Sequence, residues 1–164
     1  MKYIALVLFI LTLSCSSDDN QNELSVKGET YLAVSYKVEN AIDINGDGIA
    51  SLELFDELDR SVLVQGVSFR EDNKVYPPNP LRVCVDATED GDVLNYCGII
   101  IDYDPLPTYT QNKNAVIIEN SMEGEVSADF ETIVFKEIFY KNRNNNDGTT
   151  TSEQEVATVT YQKQ

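Results

Sequence analysis

The 164-residue chain contains no histidine and no tryptophan. Without histidine there is no imidazole to move protons near neutral pH, and none to orient a serine or cysteine nucleophile. Without tryptophan the broadest stacking surface for sugars is missing, although nine tyrosines remain. Positive charge is scarce: 12 Lys and Arg stand against 28 Asp and Glu, a net charge of −16. Such a chain repels phosphate backbones and anionic bilayers, which argues against nucleic acid as a partner. The acids show no spacing that singles out a hydrolytic pair, so the chain reads as non-enzymatic.

Long apolar runs are limited to one. Ile4 to Leu13 is broken only by Thr12 and follows Lys2. It is about half the length of the roughly 20 apolar residues that cross a bilayer, so it reads as the core of a signal peptide over residues 1–14. Ser14 is the small residue before the cut, and Cys15 follows at once. The junction resembles a lipobox, with Thr12 and Leu13 where an aliphatic and a small residue are usual; Cys15 is then the lipid anchor. Loss of Lys2 with the signal peptide leaves the mature chain one unit more negative. Ser16 to Glu23 is polar without an apolar period, and residues 15–27 read as a lipidated flexible tether. Ser17-Asp18-Asp19 resembles a surface-export signal of one large group of Gram-negative bacteria. The expected address is the outer membrane, lipid-anchored and facing outward; the alternative faces the periplasm.

Residues 28–164 show no internal repeat and no boundary, and form one domain. Over 30–38, Leu32, Val34, Tyr36 and Val38 alternate and are expected on one face. Leu52, Leu54, Phe55 and Leu58 repeat at helical spacing over two turns only. Further strands are expected over 61–69, with a bulge at Gly66, and over 81–87, 92–103, 115–119, 126–130, 132–140 and 155–162. Asn-, Asp-, Gly- and Pro-rich loops at 40–48, 76–80, 104–107 and 142–148 separate them. The fold class is all-β, mostly antiparallel, either a barrel or a sandwich.

Of three cysteines, lipidation of Cys15 leaves Cys84 and Cys97, an even pair in an oxidising compartment. Pairing outward from a two-residue Asp90-Gly91 turn sets Glu89 opposite Asp92 and Cys84 opposite Cys97. That register gathers Leu81, Val83, Val85, Ala87, Leu94, Tyr96, Gly98 and Ile100 on one face. The other face, with Arg82, Cys84, Asp86, Asn95 and Cys97, is mixed. A disulfide between Cys84 and Cys97 is expected, with a structural role.

Asp43-Ile44-Asn45-Gly46-Asp47-Gly48 matches the first half of a calcium loop, with oxygen donors at Asp43, Asn45 and Asp47 and glycine at the sixth position. The match then fails: Leu54 stands where the bidentate Glu belongs, and Glu53 is one place early. Any calcium site would be weak; the alternative is a plain Asx/Gly turn.

The lipoprotein start with Ser17-Asp18-Asp19, the segment Val34 to Gly48 and the closing run Ala157-Thr158-Val159-Thr160-Tyr161 together resemble the lipocalin-like domain lipoproteins of Gram-negative cell surfaces. The family pattern opens on a Gly-x-Trp element that plugs the barrel; here Gly28-Glu29-Thr30-Tyr31 stands instead. The resemblance implies a lipocalin-like β-barrel and no catalytic residues. The function it implies is a surface-tethered domain binding a small molecule or a protein partner. The rival expectation is a structural or adhesion β-sandwich, and pairing of the first and last strands decides between them.

Overall fold

The computed structural model describes residues 24–58, 65–89, 91–97, 101–119 and 122–164. Residues 1–14, expected to be a signal peptide, lie outside them, as do Cys15 and Ser17-Asp18-Asp19. In chain order the elements are β1 (Thr30–Ile42), β2 (Ser51–Glu53), α1 (Leu54–Glu57), β3 (Gly66–Phe69), β4 (Val75–Tyr76), β5 (Arg82–Thr88), β6 (Gly91–Tyr96), β7 (Tyr109–Asn112), β8 (Ala115–Ile118), β9 (Met122–Val126), β10 (Thr132–Asn144) and β11 (Thr150–Lys163).

Eight strands follow one another around the sheet in the order β4-β3-β1-β11-β10-β9-β8-β7. The ends of that series approach each other. Lys74 bridges Thr108, the Val75 amide donates to the Pro107 carbonyl at 3.0 Å, and the Tyr109 amide to the Asn73 carbonyl at 3.0 Å. The sheet is therefore a nearly closed antiparallel barrel. The first strand pairs with the last, from Tyr31↔Lys163 to Val38↔Ala157, which sets the sandwich alternative aside. β2 adds to the far end of β1, and the β5–β6 hairpin adds to the far end of β10 in parallel.

Alternation fills the interior. Ile133, Phe135, Glu137 and Phe139 of β10 are buried, as are Ala157, Val159 and Tyr161 of β11, Val67 and Phe69 of β3, and Val116 and Ile118 of β8. Edge-to-face contacts join Phe135 to Tyr161 at 5.8 Å and Tyr31 to Phe69 at 6.1 Å. Tyr31 is fully buried and its hydroxyl donates to the Phe130 carbonyl at 2.9 Å. It fills the barrel at the start of β1. Val26 is buried too, its amide held by the Gln111 side chain at 3.0 Å, so packing begins before residue 28.

Several strand expectations need correction. Leu32 and Val34 do not share a face with Tyr36 and Val38. The register passes from Ala33↔Tyr161 to Ser35↔Thr160, so Val34 is an extra residue. It is 41% exposed, and the bulge inverts the side-chain phase after it. Gly66 pairs regularly with Leu32 and makes no bulge. A Cβ there would stand 2.9 Å from the Leu32 Cδ2 and 3.2 Å from the Tyr31 carbonyl oxygen, so it serves close approach. The strand expected over 126–130 lies earlier, as β9, because its outward Glu123 and Glu125 flank an inward glycine and hide the alternation. Residues 127–130 are instead a turn in which Phe130 has φ 61°. The expected 142–148 loop is shorter, since β10 and β11 pair out to Asn144↔Thr150. β7, with Tyr109 as its one fully inward anchor, was not expected.

The β5–β6 hairpin carries the disulfide but not in the expected register. The pairs are Val83↔Tyr96, Cys84↔Asn95, Val85↔Leu94 and Thr88↔Gly91. The ladder thus ends on Thr88↔Gly91 and has slipped by two. A slip of two leaves every side chain on its face, so facial segregation cannot tell the two registers apart. Leu81, Val83 and Val85 are buried and Leu94 packs against them, as expected; Ile100 lies outside the described residues. Cys97 is bonded to Cys84 with Cα atoms 5.6 Å apart. It stands just past the end of β6, where the chain is free to close a diagonal that inside a ladder would span about 7–8 Å.

Gly124 pairs directly with Phe135. A Cβ on Gly124 would meet that ring at 2.5–2.9 Å. Gly124→Ala should therefore cost about 1–3 kcal/mol through overpacking, read as a lower midpoint in urea unfolding. Phe135→Leu in the same chain should recover part of the loss relative to the sum of the single changes.

Candidate functional site

Two places in the described chain gather polar side chains in an ordered way. The first is the acidic loop between β1 and β2. Gly46 and Gly48 adopt φ 77° and 85°, values that glycine supplies without strain. They curl the backbone so that Asp43 accepts the Gly46 amide at 2.7 Å and the Gly48 amide at 2.9 Å. Asn45 accepts the Asp47 amide at 2.9 Å, and Asp47 the Ile49 amide at 2.8 Å. The loop is pinned from below: Ile44 is buried, and its amide donates to the buried Glu57 carboxylate at 3.0 Å.

Asp43, Asn45 and Asp47 thus lie on one tight arc, each accepting a backbone amide of the loop. The acid that would complete a calcium site is employed elsewhere. Glu53 accepts the Tyr36 amide at 2.7 Å and the Ser35 hydroxyl, and caps α1 by accepting the Phe55 amide. The Tyr36 amide faces away from β11, in the gap between the end of the β3 ladder at Leu32 and the start of the β2 ladder at Lys37, and Glu53 fills that gap. Ser51 donates to Asp56 at 3.1 Å. Among the described residues no three Cys, Asp or Glu side chains gather in a metal-holding group. The oxygens on the arc do keep spare lone pairs, since a carboxylate has about four acceptor sites.

The second place is inside the barrel. Glu137 is only 5% exposed and sits in phase with Ile133, Phe135 and Phe139 on the apolar face of β10. Directly across the ladder stands Ala157, and beyond it Val38; the small side chain leaves room for the carboxyl. Tyr161 donates its hydroxyl to Glu137 Oε1 at 2.6 Å. Glu137 Oε2 and the Tyr36 hydroxyl are both buried and have no hydrogen-bond partner. Tyr103, half-buried in the segment before β7, also feels the Glu137 charge.

Burial pushes the Glu137 carboxyl up to about 7, with the Tyr161 hydroxyl pulling the other way. Burial raises Tyr36 and Tyr161 as well, and the neighbouring Glu137 charge adds to both. The Leu81 backbone opposes that rise at Tyr36, though it does not reach the hydroxyl as a hydrogen bond. The cluster can exchange one proton near neutral pH and presents two unpaired oxygen atoms. Sequence reading passed over it. The signal was a single acid on the inward beat of an otherwise apolar alternation.

Cys84 and Cys97 form a disulfide in the β5–β6 hairpin, which pairs with β10 from Tyr140 onward, and Asn142 Nδ2 lies 3.9 Å from the Cys84 sulfur. Comparison with known protein families, curated proteins and solved structures finds no match for the chain. The site must therefore be read from its own geometry.

Glu137 generates a pH-dependence with a definite sign. Its carboxyl ionises near 4.5 in the unfolded chain and near 7 in the fold. Between those values the fold holds the proton more tightly, so stability falls as pH rises and then levels off above about 7. The loss is on the order of 3 kcal/mol. Glu137→Gln should remove this slope. Its unfolding free energy relative to the parent should climb by that amount between pH 4.5 and 7.5; a gap that stays constant with pH would place the carboxyl in water.

Proposed function

We propose that this chain is a lipid-anchored, non-enzymatic recognition domain of the bacterial outer membrane, held at Cys15 and facing outward, that binds a protein partner through its outer surface. The observation that carries this reading is the filled interior. Tyr31, Tyr36, Phe69, Phe135, Phe139 and Tyr161 occupy the barrel at less than 2% exposure each. One groove of about 550 Å³, over Glu123, Glu125, Val134, Lys136 and Thr158, lies on the outside. A barrel packed in this way offers its face and edges for contact. The lipocalin-like resemblance supports the same class of protein.

A second reading, a small molecule held within the barrel, is favoured by the unpaired Glu137 Oε2 and Tyr36 hydroxyl. A ligand donating one hydrogen bond would satisfy the carboxyl. Native mass spectrometry of the purified protein should then show a co-purifying molecule that Glu137→Gln loses.

The anchor is tested in cells. Cys15→Ala should move the protein out of the membrane fraction, and protease added to intact cells should digest the parent. A membrane-bound Cys15→Ala protein would contradict the anchor; protection until lysis would assign the periplasmic face. Calcium belongs to this reading only as a weak ligand of Asp43, Asn45 and Asp47. With a dissociation constant of about 10⁻⁴–10⁻³ M, ~5 mM calcium should stabilise the fold by about 1–2 kcal/mol. Asp43→Ala/Asp47→Ala should abolish the effect, and an unresponsive parent removes calcium from the account.

A further inference from the structure

The β10–β11 hairpin runs past the barrel, and one flank of its second strand is left open. β1 accompanies β11 only as far as Val38↔Ala157, while its other edge pairs with β2 from Lys37 to Ile42. β10 continues alone beside β11 to Asn144↔Thr150. The backbone phase of β11 is fixed at both ends. The Lys163 amide donates to Glu131 and the Thr149 carbonyl accepts from Asn145, both on the β10 side; the Gln164 amide donates to Thr30, on the β1 side. No bulge interrupts the β10–β11 ladder between them. Even-numbered residues therefore direct their amides and carbonyls toward the β1 side. For Thr150, Ser152 and Gln154 no described strand stands there, and Val156 sits where the β1 ladder ends.

This edge has a definite chemical character. Thr150 to Gln154 are exposed. On the outer face Val156 and its cross-strand neighbour Ile138 are 49% and 45% exposed. On the inner face stand Glu153, opposite Lys141, and Glu155, opposite Phe139. Glu155 Oε2 is buried and has no hydrogen-bond partner. Pairing with a second copy, antiparallel about Gln154, would set Glu153 against Glu155 between two chains of net charge −16. Like charges directly opposite each other destabilise a ladder.

We propose that the open edge of β11, Thr150 to Val156, accepts an extended basic segment of a partner protein as an added strand. The free amides and carbonyls supply the ladder. Basic side chains at alternate positions lie beside Glu153 and Glu155, the nearer one giving Glu155 Oε2 its missing donor. An apolar side chain between them packs on Val156 and Ile138. The inference rests on the reading of this chain as a recognition domain and adds the surface and the chemistry of the partner.

The probe is a fluorescent heptapeptide of alternating Lys and Val, blocked at both ends, titrated into the full chain in detergent and followed by anisotropy. Two controls replace Lys by Glu, or carry N-methyl groups on alternate residues so that one backbone edge cannot donate. The parent should bind the basic peptide. Ser152→Pro/Gln154→Pro removes two amides that face away from β10, a placement at which edge strands tolerate proline. It should weaken binding about tenfold or more while circular dichroism stays unchanged. Glu153→Gln/Glu155→Gln should weaken binding and flatten its dependence on salt. Should the proline variant unfold, the N-methylated peptide decides, since it should fail to bind the parent. Absence of binding to the parent, equal binding of the N-methylated or acidic peptide, or unaltered binding by a folded proline variant would overturn the proposal. So would a parent dimer that the proline variant dissolves, which would give the edge to a second copy. None of these outcomes changes the fractionation of Cys15→Ala, so the anchor stands or falls separately.

Discussion

β11 is bonded on both sides, to β1 and to β10, over the half of its length that runs from Ala157 to Lys163. On this shared strand the rest of the molecule depends. A succession of antiparallel hairpins becomes a barrel only when the first strand finds the last, and contacts so far apart in sequence carry a loop-closure cost that local hairpins do not. The inward side chains of these three strands offset that cost together: Tyr31 and Tyr36 from β1, Val159 and Tyr161 from β11, Ile133 and Phe135 from β10, all essentially removed from water. Where the triple pairing stops, at Val38↔Ala157, the character of the protein changes. Inside lie aromatic packing and one buried acid. Outside lies a polar hairpin with an open edge.

The irregularities of the sheet are local solutions to that closure. The extra residue at Val34 bends β1 and strengthens its twist, as bulges do in barrels, and the Glu53 carboxylate takes up the Tyr36 amide beside it. The same Glu53 caps α1, which buries Leu54 and Phe55. Gly124 gives way to the Phe135 ring. Glu137 runs counter to the pattern: a carboxyl in the core, with one oxygen satisfied by Tyr161 and the other unpaired. Groups of this kind are costly in low dielectric.

Much of this was legible in the residues. Alternation identified the core strands and the all-β class, the even pair Cys84 and Cys97 implied its own bond, and the Asp43 to Gly48 spacing implied a tight polar arc. What stayed hidden has physical causes. A register shifted by two residues preserves every facial assignment, so the ladder ending on Thr88↔Gly91 could not be separated by hydrophobicity from one built on an Asp90-Gly91 turn. A bulge costs one residue and no composition, which put Leu32 and Val34 on the wrong face. β9 escaped because its one central inward residue is a glycine. The role of Glu53 depends on the gap between the β3 and β2 ladders along β1 and was invisible without it. The open edge of β11 follows from where β1 diverges, a property of the assembled sheet and of no single segment.

Amide hydrogen exchange along β11 tests this arrangement most directly. Closure by β1 requires the amides of Thr158, Thr160 and Gln162 to exchange slowly, together with those of Thr151, Glu153 and Glu155, which face β10. The amides of Ser152, Gln154 and Val156 should exchange quickly, giving a strand whose protection alternates at one end and is continuous at the other. Fast exchange at Thr158, Thr160 and Gln162 would contradict barrel closure. Slow exchange at Ser152, Gln154 and Val156 in the isolated protein would show the edge already covered.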